Sequence, residues 1–300
     1  MNKETPLFDK KLYPFQPKTL QLNQLDYSYL DEGDSEQVVL MVHGNPSWSF
    51  YYRDLVLKLR NDYRCVVPDH IGCGLSDKPD DTAYAYQLQQ RIDDVQSLID
   101  HLGIKKNITL VVHDWGGMIG MGFAAANPDK IKRIVVLNTG AFRLPEAKKM
   151  PWLLHLCRTP VGALLIRGFN AFSWLTAKVG VKREAMSQAL QQGYTAPYNN
   201  WKNRIATLRF VEDIPLKEGH VSYETVCRIE KALPLFASTP MLICWGMQDF
   251  VFDHHFLTEW QQRFPEADVH RFDDCGHYIL EDASIEVNAL IQGFLEENST

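Results

Sequence analysis

The sequence contains no apolar run long enough to cross a membrane. Its most apolar region, 151–181, is interrupted by Arg158, Arg167 and Lys178, whereas a membrane helix needs about 20 mainly apolar residues. The first residues, MNKETPLFDKKLYPF, contain no apolar core typical of a secretory leader. These absences exclude a membrane span and predict a protein of the cytoplasm.

The cysteines show neither disulfide nor metal-site spacing. All six, at positions 65, 73, 157, 227, 244 and 275, lie outside any C-x-x-C pair. Three of them lie in or beside apolar segments, where a reduced thiol serves as a small apolar side chain. The net charge is −6 and the pI is near 5.9, with Lys and Arg scattered along the chain. This charge argues against binding to nucleic acid or to an anionic membrane surface.

Two short patterns that could indicate a bound cofactor are incomplete. His254 and His255 are adjacent, so they cannot share one helix face as metal ligands do. The stretch IGCGLSDKP (71–79) contains G-x-G but lacks the helix start of a dinucleotide-binding G-x-G-x-x-G motif. We therefore expect no metal and no cofactor.

Short apolar segments alternate with segments of helical spacing along most of the chain. Helices are predicted at 92–102, 115–127 and 284–295. Strands are predicted for VVLMVHG (38–44), YRCVVPD (63–69), ITLVVHD (108–114), KRIVVLN (132–138), PMLICWG (240–246) and ADVHRFD (267–273). Because several of these segments are apolar throughout, they indicate a mostly parallel sheet covered by helices on both faces, an α/β fold.

The alternation stops between residues 142 and 231. This region has no convincing strand pattern and is rich in aromatic and Met residues. An insertion between two parallel strands lies over the carboxyl edge of the sheet, where α/β proteins bind ligands. We therefore predict a helical cap at 142–231, inserted in a core domain made of residues 1–141 and 232–300.

The stretch VVHDWGG (111–117) places an aspartate where an apolar strand turns sharply into a helix. This is the pattern of a nucleophile elbow, usually G-x-S-x-G, with Asp114 in place of the serine. A carboxylate is already an anion, so it attacks without a base and leaves an ester on the enzyme. The alternative is a helix-capping aspartate, a common role at a helix start.

Two downstream segments complete a catalytic triad. His277 follows the last predicted strand, and Asp249 follows the strand PMLICWG, where an acid can orient the histidine. Asp253 is a competing choice for that acid. The other usual place for it, after KRIVVLN, holds Asn138, which carries no charge. The order nucleophile, acid, histidine is the order that α/β-hydrolases use.

The stretch MVHGNPSWSF contributes a site for a leaving anion. His43 and Gly44 follow the first predicted strand, where this fold forms an oxyanion hole. The amide of Asn45 and the indole N–H of Trp115 are predicted to approach the same centre. Two neutral N–H donors beside a nucleophilic carboxylate suit a departing halide or carboxylate.

These motifs resemble the haloalkane dehalogenases of the α/β-hydrolase superfamily. The resemblance rests on HGNPSWS, on HDWGG and on the D-x-x-G-x-G-x-SDKP run at 69–79. It implies the α/β-hydrolase fold, with Asp114 as nucleophile and Asn45 and Trp115 holding the leaving anion. His277 and Asp249 then complete the triad.

Two segments are more similar to a related family, the β-lactone decarboxylases of bacterial long-chain olefin biosynthesis. They are PDHIGCGLSDKP, with His70 and Cys73, and HDWGGMIGMGFA. The resemblance implies conversion of a cis-3-alkyl-4-alkyloxetan-2-one to a cis-alkene and carbon dioxide. It also implies a small apolar substrate with long alkyl chains, and assembly with other enzymes of the olefin pathway.

Several alternatives stay open at this point. Asp114 could attack ring carbon C4 or the lactone carbonyl, and a haloalkane dehalogenase would use the same nucleophile. An epoxide hydrolase would need cap tyrosines, for which Tyr194 and Tyr198 are candidates. A non-catalytic binding protein on this fold would have no use for the complete Asp-His-Asp set.

Overall fold

The structure, a computed structural model, describes residues 9–298. Within these residues eight strands form one sheet: β1 (Lys18–Leu22), β2 (Leu25–Glu32), β3 (Val38–Val42), β4 (Arg64–Pro68), β5 (Ile108–Asp114), β6 (Ile131–Thr139), β7 (Met241–Gly246) and β8 (Asp268–Phe272). Their order is β1-β2-β4-β3-β5-β6-β7-β8. The strands from β3 to β8 are parallel, and β2 is antiparallel to β1 and to β4. The expected mostly parallel sheet is confirmed.

The same residues contain twelve α-helices. They are α1 (Arg53–Leu59), α2 (Leu88–His101), α3 (Gly116–Ala126), α4 (Trp152–Cys157), α5 (Pro160–Phe169), α6 (Ala171–Val179), α7 (Gln188–Thr195), α8 (Ile205–Glu212), α9 (Tyr223–Ala232), α10 (His254–Arg263), α11 (Ile279–Asp282) and α12 (Ser284–Glu297). Among the helices described, none combines the length and apolar character that a membrane span requires.

The six predicted strands are confirmed, with ends that differ by at most two residues. The sequence analysis missed the hairpin of β1 and β2 at the edge of the sheet. Its turn uses Asn23 and Gln24 with φ of 47° and 71°. Positive φ at both central residues is typical of the tight turns that match the twist of a hairpin.

Alternate residues of the central strands pack on opposite faces of the sheet. Leu40 and Val42 share one apolar core with α2 and α3. Val39 and Met41 share the other with α1 and α12. Burial on both faces explains why these strands are apolar throughout. All six cysteines carry free thiols, and five of them are buried.

Six helices, α4 to α9, and no strand among the described residues connect β6 to β7. The last of them, α9, packs on the core, because Val226 and Ile229 join the same apolar cluster as Ile119 of α3. The domain bounds 1–141, 142–231 and 232–300 stay a prediction. Residues 1–8 and 299–300 of those bounds lie outside the described residues.

A buried ion pair connects α1, α11 and α7. Both guanidinium nitrogens of Arg53 donate to the Glu281 carboxylate, at 2.5 and 2.8 Å. The Tyr194 hydroxyl donates to the same carboxylate. The side chains of Arg53 and Glu281 are only 5% and 6% exposed. Both charges are almost fully buried, so Glu281 depends on Arg53 for compensation, while Arg53 also lies 3.3 Å from the half-exposed Asp54 carboxylate.

Replacing Glu281 by Gln should lower the free energy of unfolding by roughly 3–5 kcal/mol, because the buried Arg53 charge loses its buried partner and keeps the half-exposed Asp54 carboxylate at 3.3 Å. Chemical denaturation measures this effect. The matched control is Glu286→Gln, which removes the partner of Arg183 at 2.7 Å from an exposed pair. Exposed pairs contribute about 0–1 kcal/mol, so equal losses for the two variants would contradict this account.

Candidate active site

Asp114 is the last residue of β5 and lies at the tip of a sharp turn into α3. Its φ is +52°, a left-handed conformation that is uncommon for a residue with a side chain. The turn is tight because Gly116 has no Cβ, which would overlap the carbonyl of Val42. A Cβ at Gly44 would overlap the Asp114 carboxylate itself. The elbow therefore needs glycine at positions 44 and 116, where a side chain would overlap the turn or the carboxylate.

The carboxylate of Asp114 is buried but has hydrogen-bond donors. The backbone N–H of Asn45 donates to Asp114 Oδ1 at 2.5 Å. Burial raises the pKa of Asp114, while the positive charge of His277 and the backbone N–H groups of Asn45 and Trp115 lower it in part. The capping alternative is wrong, since Trp115 is the N-cap residue of α3 and no side chain caps that helix.

His277 lies between two carboxylates. Its Nδ1 is 2.7 Å from Asp249 Oδ2, and its Nε2 is 3.7 Å from Asp114 Oδ2. Burial lowers the pKa of His277, but the negative charges of Asp249 and Asp114 outweigh burial and raise it above 6.5. The structure therefore brings together Asp114, His277 and Asp249, the residues predicted to be nucleophile, histidine and acid.

The structure distinguishes Asp249 from its competitor Asp253. Asp249 Oδ1 accepts the backbone N–H groups of Val251 and Phe252 at 2.8 and 3.1 Å, which fixes the carboxylate toward His277. Asp253 instead caps α10 and forms an ion pair with Lys148 at 2.6 Å.

Asn138 lies after β6, at the other usual place for the acid of the triad, and its side chain bonds to the backbone of Gly246. Its side-chain amide donates to the carbonyl of Gly246 at 2.9 Å and accepts from the N–H of Gly246 at 2.8 Å. This pair of bonds joins the carboxyl ends of β6 and β7.

The loop that carries His277 is attached to the cap region and to the elbow. The Tyr278 N–H donates to the carbonyl of Gly180 at 2.9 Å, and Asp282 accepts the N–H of Lys182 at 2.8 Å. His113, buried beside the nucleophile, has its Nε2 2.8 Å from the His277 carbonyl. The position of His277 therefore depends on segments far away in the sequence.

Asn45 and Trp115 both lie beside Asp114. The Asn45 amide nitrogen donates to the carbonyl of Thr207 on α8 at 3.1 Å, which fixes the orientation of the amide. The Trp115 ring packs edge-on against Phe210 of the same helix, with centroids 5.4 Å apart. Helix α8 of the inserted region therefore holds both side chains, a contact that the sequence analysis did not anticipate.

An apolar cavity opens over the Asp114 carboxylate. Asn45, Asp114, Trp115 and His277 form its floor. The space between its walls, including the open mouth, is about 1230 Å³. Six apolar wall residues come from the inserted helices: Leu153, Leu154, Phe172, Leu175, Val179 and Val211. Its lining is mainly apolar, so the cavity suits an apolar ligand.

Other residues singled out in the sequence lie away from the cavity walls. Tyr194 donates to Glu281, and the Tyr198 hydroxyl is 3.3 Å from the carbonyl of Ser47. Both tyrosines are at most 1% exposed. His70 Nε2 is 3.0 Å from the His43 carbonyl. An epoxide hydrolase would need tyrosine hydroxyls in the cavity, and these two have buried partners elsewhere.

One cluster has potential metal ligands. The donor atoms of Asp253, His254 and His255 lie within 4.8 Å of one another, closer than the sequence analysis allowed for adjacent histidines. The ammonium of Lys148 contacts the same Asp253 carboxylate at 2.6 Å. A cation already compensates this carboxylate, which weakens the case for a metal ion there.

The sequence analysis missed several residues that form the cavity floor and walls. Met118 and Phe252 line it from the core side, and the Phe252 ring stacks over His277 at 6.0 Å between centroids. The spacing of Met118, one helical turn after Asp114, could have identified the first of them. Phe252 had no such indication, because a loop brings it over the histidine.

Comparison with known proteins agrees with this architecture. A family model described as alpha/beta hydrolase fold matches residues 37–284. The cis-3-alkyl-4-alkyloxetan-2-one decarboxylase of Shewanella oneidensis is 59% identical over 96% of this chain and 91% of its own length. The enzyme of the same name from Xanthomonas campestris pv. campestris is 49% identical over 95% of this chain and 98% of its own length.

Among solved structures, the haloalkane dehalogenase DbeA from Bradyrhizobium elkani superimposes with a TM-score of 0.84 at 24% sequence identity. The alignment covers 95% of this chain and 99% of that one. At this identity the similarity concerns the fold alone. The expected fold and the expected resemblance are both confirmed, and the chain belongs to the alpha/beta hydrolase fold family.

Proposed function

We propose that the chain is a β-lactone decarboxylase that converts a cis-3-alkyl-4-alkyloxetan-2-one to a cis-alkene and carbon dioxide. The observation that carries the proposal is a buried carboxylate, Asp114, at the floor of a large apolar cavity. The 59% identity to the Shewanella oneidensis decarboxylase supports the same substrate class. The similarity to haloalkane dehalogenases is more distant and supports the fold alone, so a dehalogenase is the less favoured alternative.

In the proposed reaction, Asp114 attacks ring carbon C4 from the side opposite to the ring oxygen. The C4–O bond breaks, C4 is inverted, and a free carboxylate remains on C3. The C3–carboxylate bond then breaks, its electron pair forms the C3=C4 double bond, and the C4–O bond to Asp114 breaks. Carbon dioxide and the Asp114 carboxylate leave anti to each other, so a cis-lactone gives a cis-alkene. The cycle consumes no water.

Neighbouring groups supply the charge compensation for these steps. Asn45 and Trp115 line the floor beside Asp114 and can donate N–H groups to the ring oxygen as it becomes a carboxylate. His277, with Nε2 3.7 Å from Asp114 Oδ2, can stabilise the Asp114 carboxylate when it departs. Asp249 holds the imidazole and favours its charged form. In a hydrolase the same imidazole would have to be neutral, to activate water.

We also propose that the enzyme works in the cytoplasm, where its six thiols stay reduced, and that it assembles with other enzymes of an olefin-forming pathway. The apolar character of the cavity supports a small apolar substrate. Assembly would limit the time that such a substrate spends in water.

Incubation with a long-chain cis-β-lactone should give equimolar carbon dioxide and cis-alkene, measured by gas chromatography. Asp114→Asn should reduce turnover by roughly 10³-fold or more, because the amide matches the carboxylate in shape but cannot attack. Asp253→Asn is the matched control. It keeps a capping side chain on α10 and should retain turnover within about threefold.

A β-hydroxy acid as the main product would mean hydrolysis and would contradict the decarboxylase. Turnover by Asp114→Asn within tenfold of wild type would contradict the role of the nucleophile. Mass spectrometry of the variant must exclude deamidation back to aspartate.

The pH dependence of kcat/KM should separate the two chemistries. Activity should appear as pH rises through the raised pKa of Asp114, because the ionised form attacks. It should fall as pH rises through the raised pKa of His277, above 6.5, because the imidazolium is then lost. His277→Gln removes a positive charge that lowers the pKa of Asp114. In this variant the rise of kcat/KM at acid pH should therefore occur at higher pH than in the wild type. A kcat/KM that instead increases as pH rises through the pKa of His277, and loses this increase in His277→Gln, would indicate a hydrolase with a neutral base.

The length of the alkyl chains should govern kcat/KM. Each buried CH₂ contributes up to about 0.8 kcal/mol, so kcat/KM should increase roughly threefold per added carbon until the cavity is full. Leu175→Trp, which adds bulk to the wall, should make the plateau appear at shorter chains. A flat dependence from short chains onward would favour a dehalogenase with a small substrate.

A further inference from the structure

The outward side of α5 is apolar. Val161, Leu164, Leu165 and Phe169 follow helical spacing, so they share one side of the helix. They are 61%, 53%, 39% and 72% exposed. The opposite side of α5 packs inward through Ile166, which joins a small apolar cluster with Leu208 and Val211. A surface helix of an isolated globular protein normally has the reverse arrangement, with its apolar side buried.

Neighbouring segments extend this apolar surface with tryptophans. Trp152 of α4, Trp174 of α6 and Trp201 are 75%, 51% and 49% exposed. We call these three residues and the four on α5 the cap face. Seven of the thirteen large apolar side chains exposed within residues 9–298 belong to the cap face. Isolated exposed apolar residues are ordinary, but a concentration of them indicates an interaction site.

The segment that carries most of the cap face is basic. Residues 147–183 contain seven Lys and Arg residues and no Asp or Glu, although the chain as a whole has a net charge of −6. Lys148 and Arg183 form ion pairs with Asp253, Asp274 and Glu286 of other segments, and the remaining five cations lie outside the ion pairs found among the described residues. The Lys178 ammonium lies 3.8 Å from the centre of the Trp174 ring, and Arg167 lies 4.6 Å from that of Trp201. The overall charge, which argued against an anionic surface, therefore conceals a local excess of positive charge.

Two of the helices that carry the cap face, α4 and α6, also form walls of the cavity. Trp152 points outward, while the next residue, Leu153, lines the cavity. In α6, Trp174 points outward and Leu175 lines the cavity. The cavity and the cap face are therefore separated by the thickness of one helix.

We propose that the cap face binds the surface of a lipid bilayer that contains anionic lipids. Exposed tryptophans beside lysines are typical of the interface between lipid tails and water. The local positive charge matches the negative charge of the lipid headgroups. A partner protein would also cover apolar side chains, but Arg167 and Lys178, which lie beside two of the exposed tryptophans, are better matched by the phosphate groups of lipids. The proposal concerns binding and does not rest on the proposed function.

The test is sedimentation of the full chain with vesicles of phosphatidylcholine, alone or with about 30% phosphatidylglycerol. Wild-type protein should sediment with both, and more with the anionic vesicles at low salt. The double variant Leu164→Gln and Phe169→Gln should bind about tenfold more weakly, because two apolar side chains no longer leave water. The control is Ile285→Gln, at a residue that is 86% exposed but outside the cap face. It should bind like wild type.

Circular dichroism should show that these variants are folded, since all three positions are exposed. Asp114→Asn should bind vesicles like wild type, so a failure of the proposed reaction leaves this test unaffected. Wild-type protein that stays in the supernatant with both vesicles overturns the proposal. Equal binding by the double variant and Ile285→Gln overturns the assignment to the cap face. Self-association of wild type that the double variant abolishes, without vesicle binding, would identify an interface between copies instead.

Discussion

The burial of one negative charge governs the arrangement of the site. Asp114 is 7% exposed and lies in an apolar cavity, where an ionised carboxylate is unfavourable unless other groups compensate it. The compensation comes from three directions: backbone N–H groups of the β3 loop and of the elbow, and the imidazole of His277. Each contributor is held by another part of the chain, so the elbow, the loop after β3 and the loop after β8 must all be in place.

The sequence was sufficient for those parts of the site that local geometry determines. In the sequence, an apolar strand ends at Asp114 and Gly116 and Gly117 follow, a pattern that predicts a sharp turn. The structure gives the reason, because a Cβ at Gly116 would overlap the backbone. Parallel strands bring their carboxyl ends to one edge, so residues just after β3, β7 and β8 were expected near Asp114. This is why Asn45, Asp249 and His277 could be predicted to meet despite their distance in the sequence.

The remaining features depend on contacts that have no periodic pattern. Strand β1 is short, lies at the edge of the sheet and has no buried residue, and β2 mixes polar with apolar side chains, so the apolar pattern of the hairpin is weak. The carbonyl of Thr207, which orients Asn45, belongs to the backbone and has no sequence signature. The pairing of Arg53 with Glu281 joins residues 228 positions apart. Such contacts become visible only when the packing of the inserted helices on the core is known.

These long-range contacts also limit how the inserted helices can vary. Helix α8 orients Asn45 and packs against Trp115, while the segment at Gly180 and Lys182 holds the loop of His277. A substitution that moves either segment would displace groups around the nucleophile without touching it. Helices α4 and α6 contribute apolar walls to the cavity, and Gly180, which holds the His277 loop, is the C-cap residue of α6. The inserted region therefore combines contacts that hold the groups around Asp114 with apolar side chains that line the cavity, and under the proposed function these side chains limit the alkyl chains that fit.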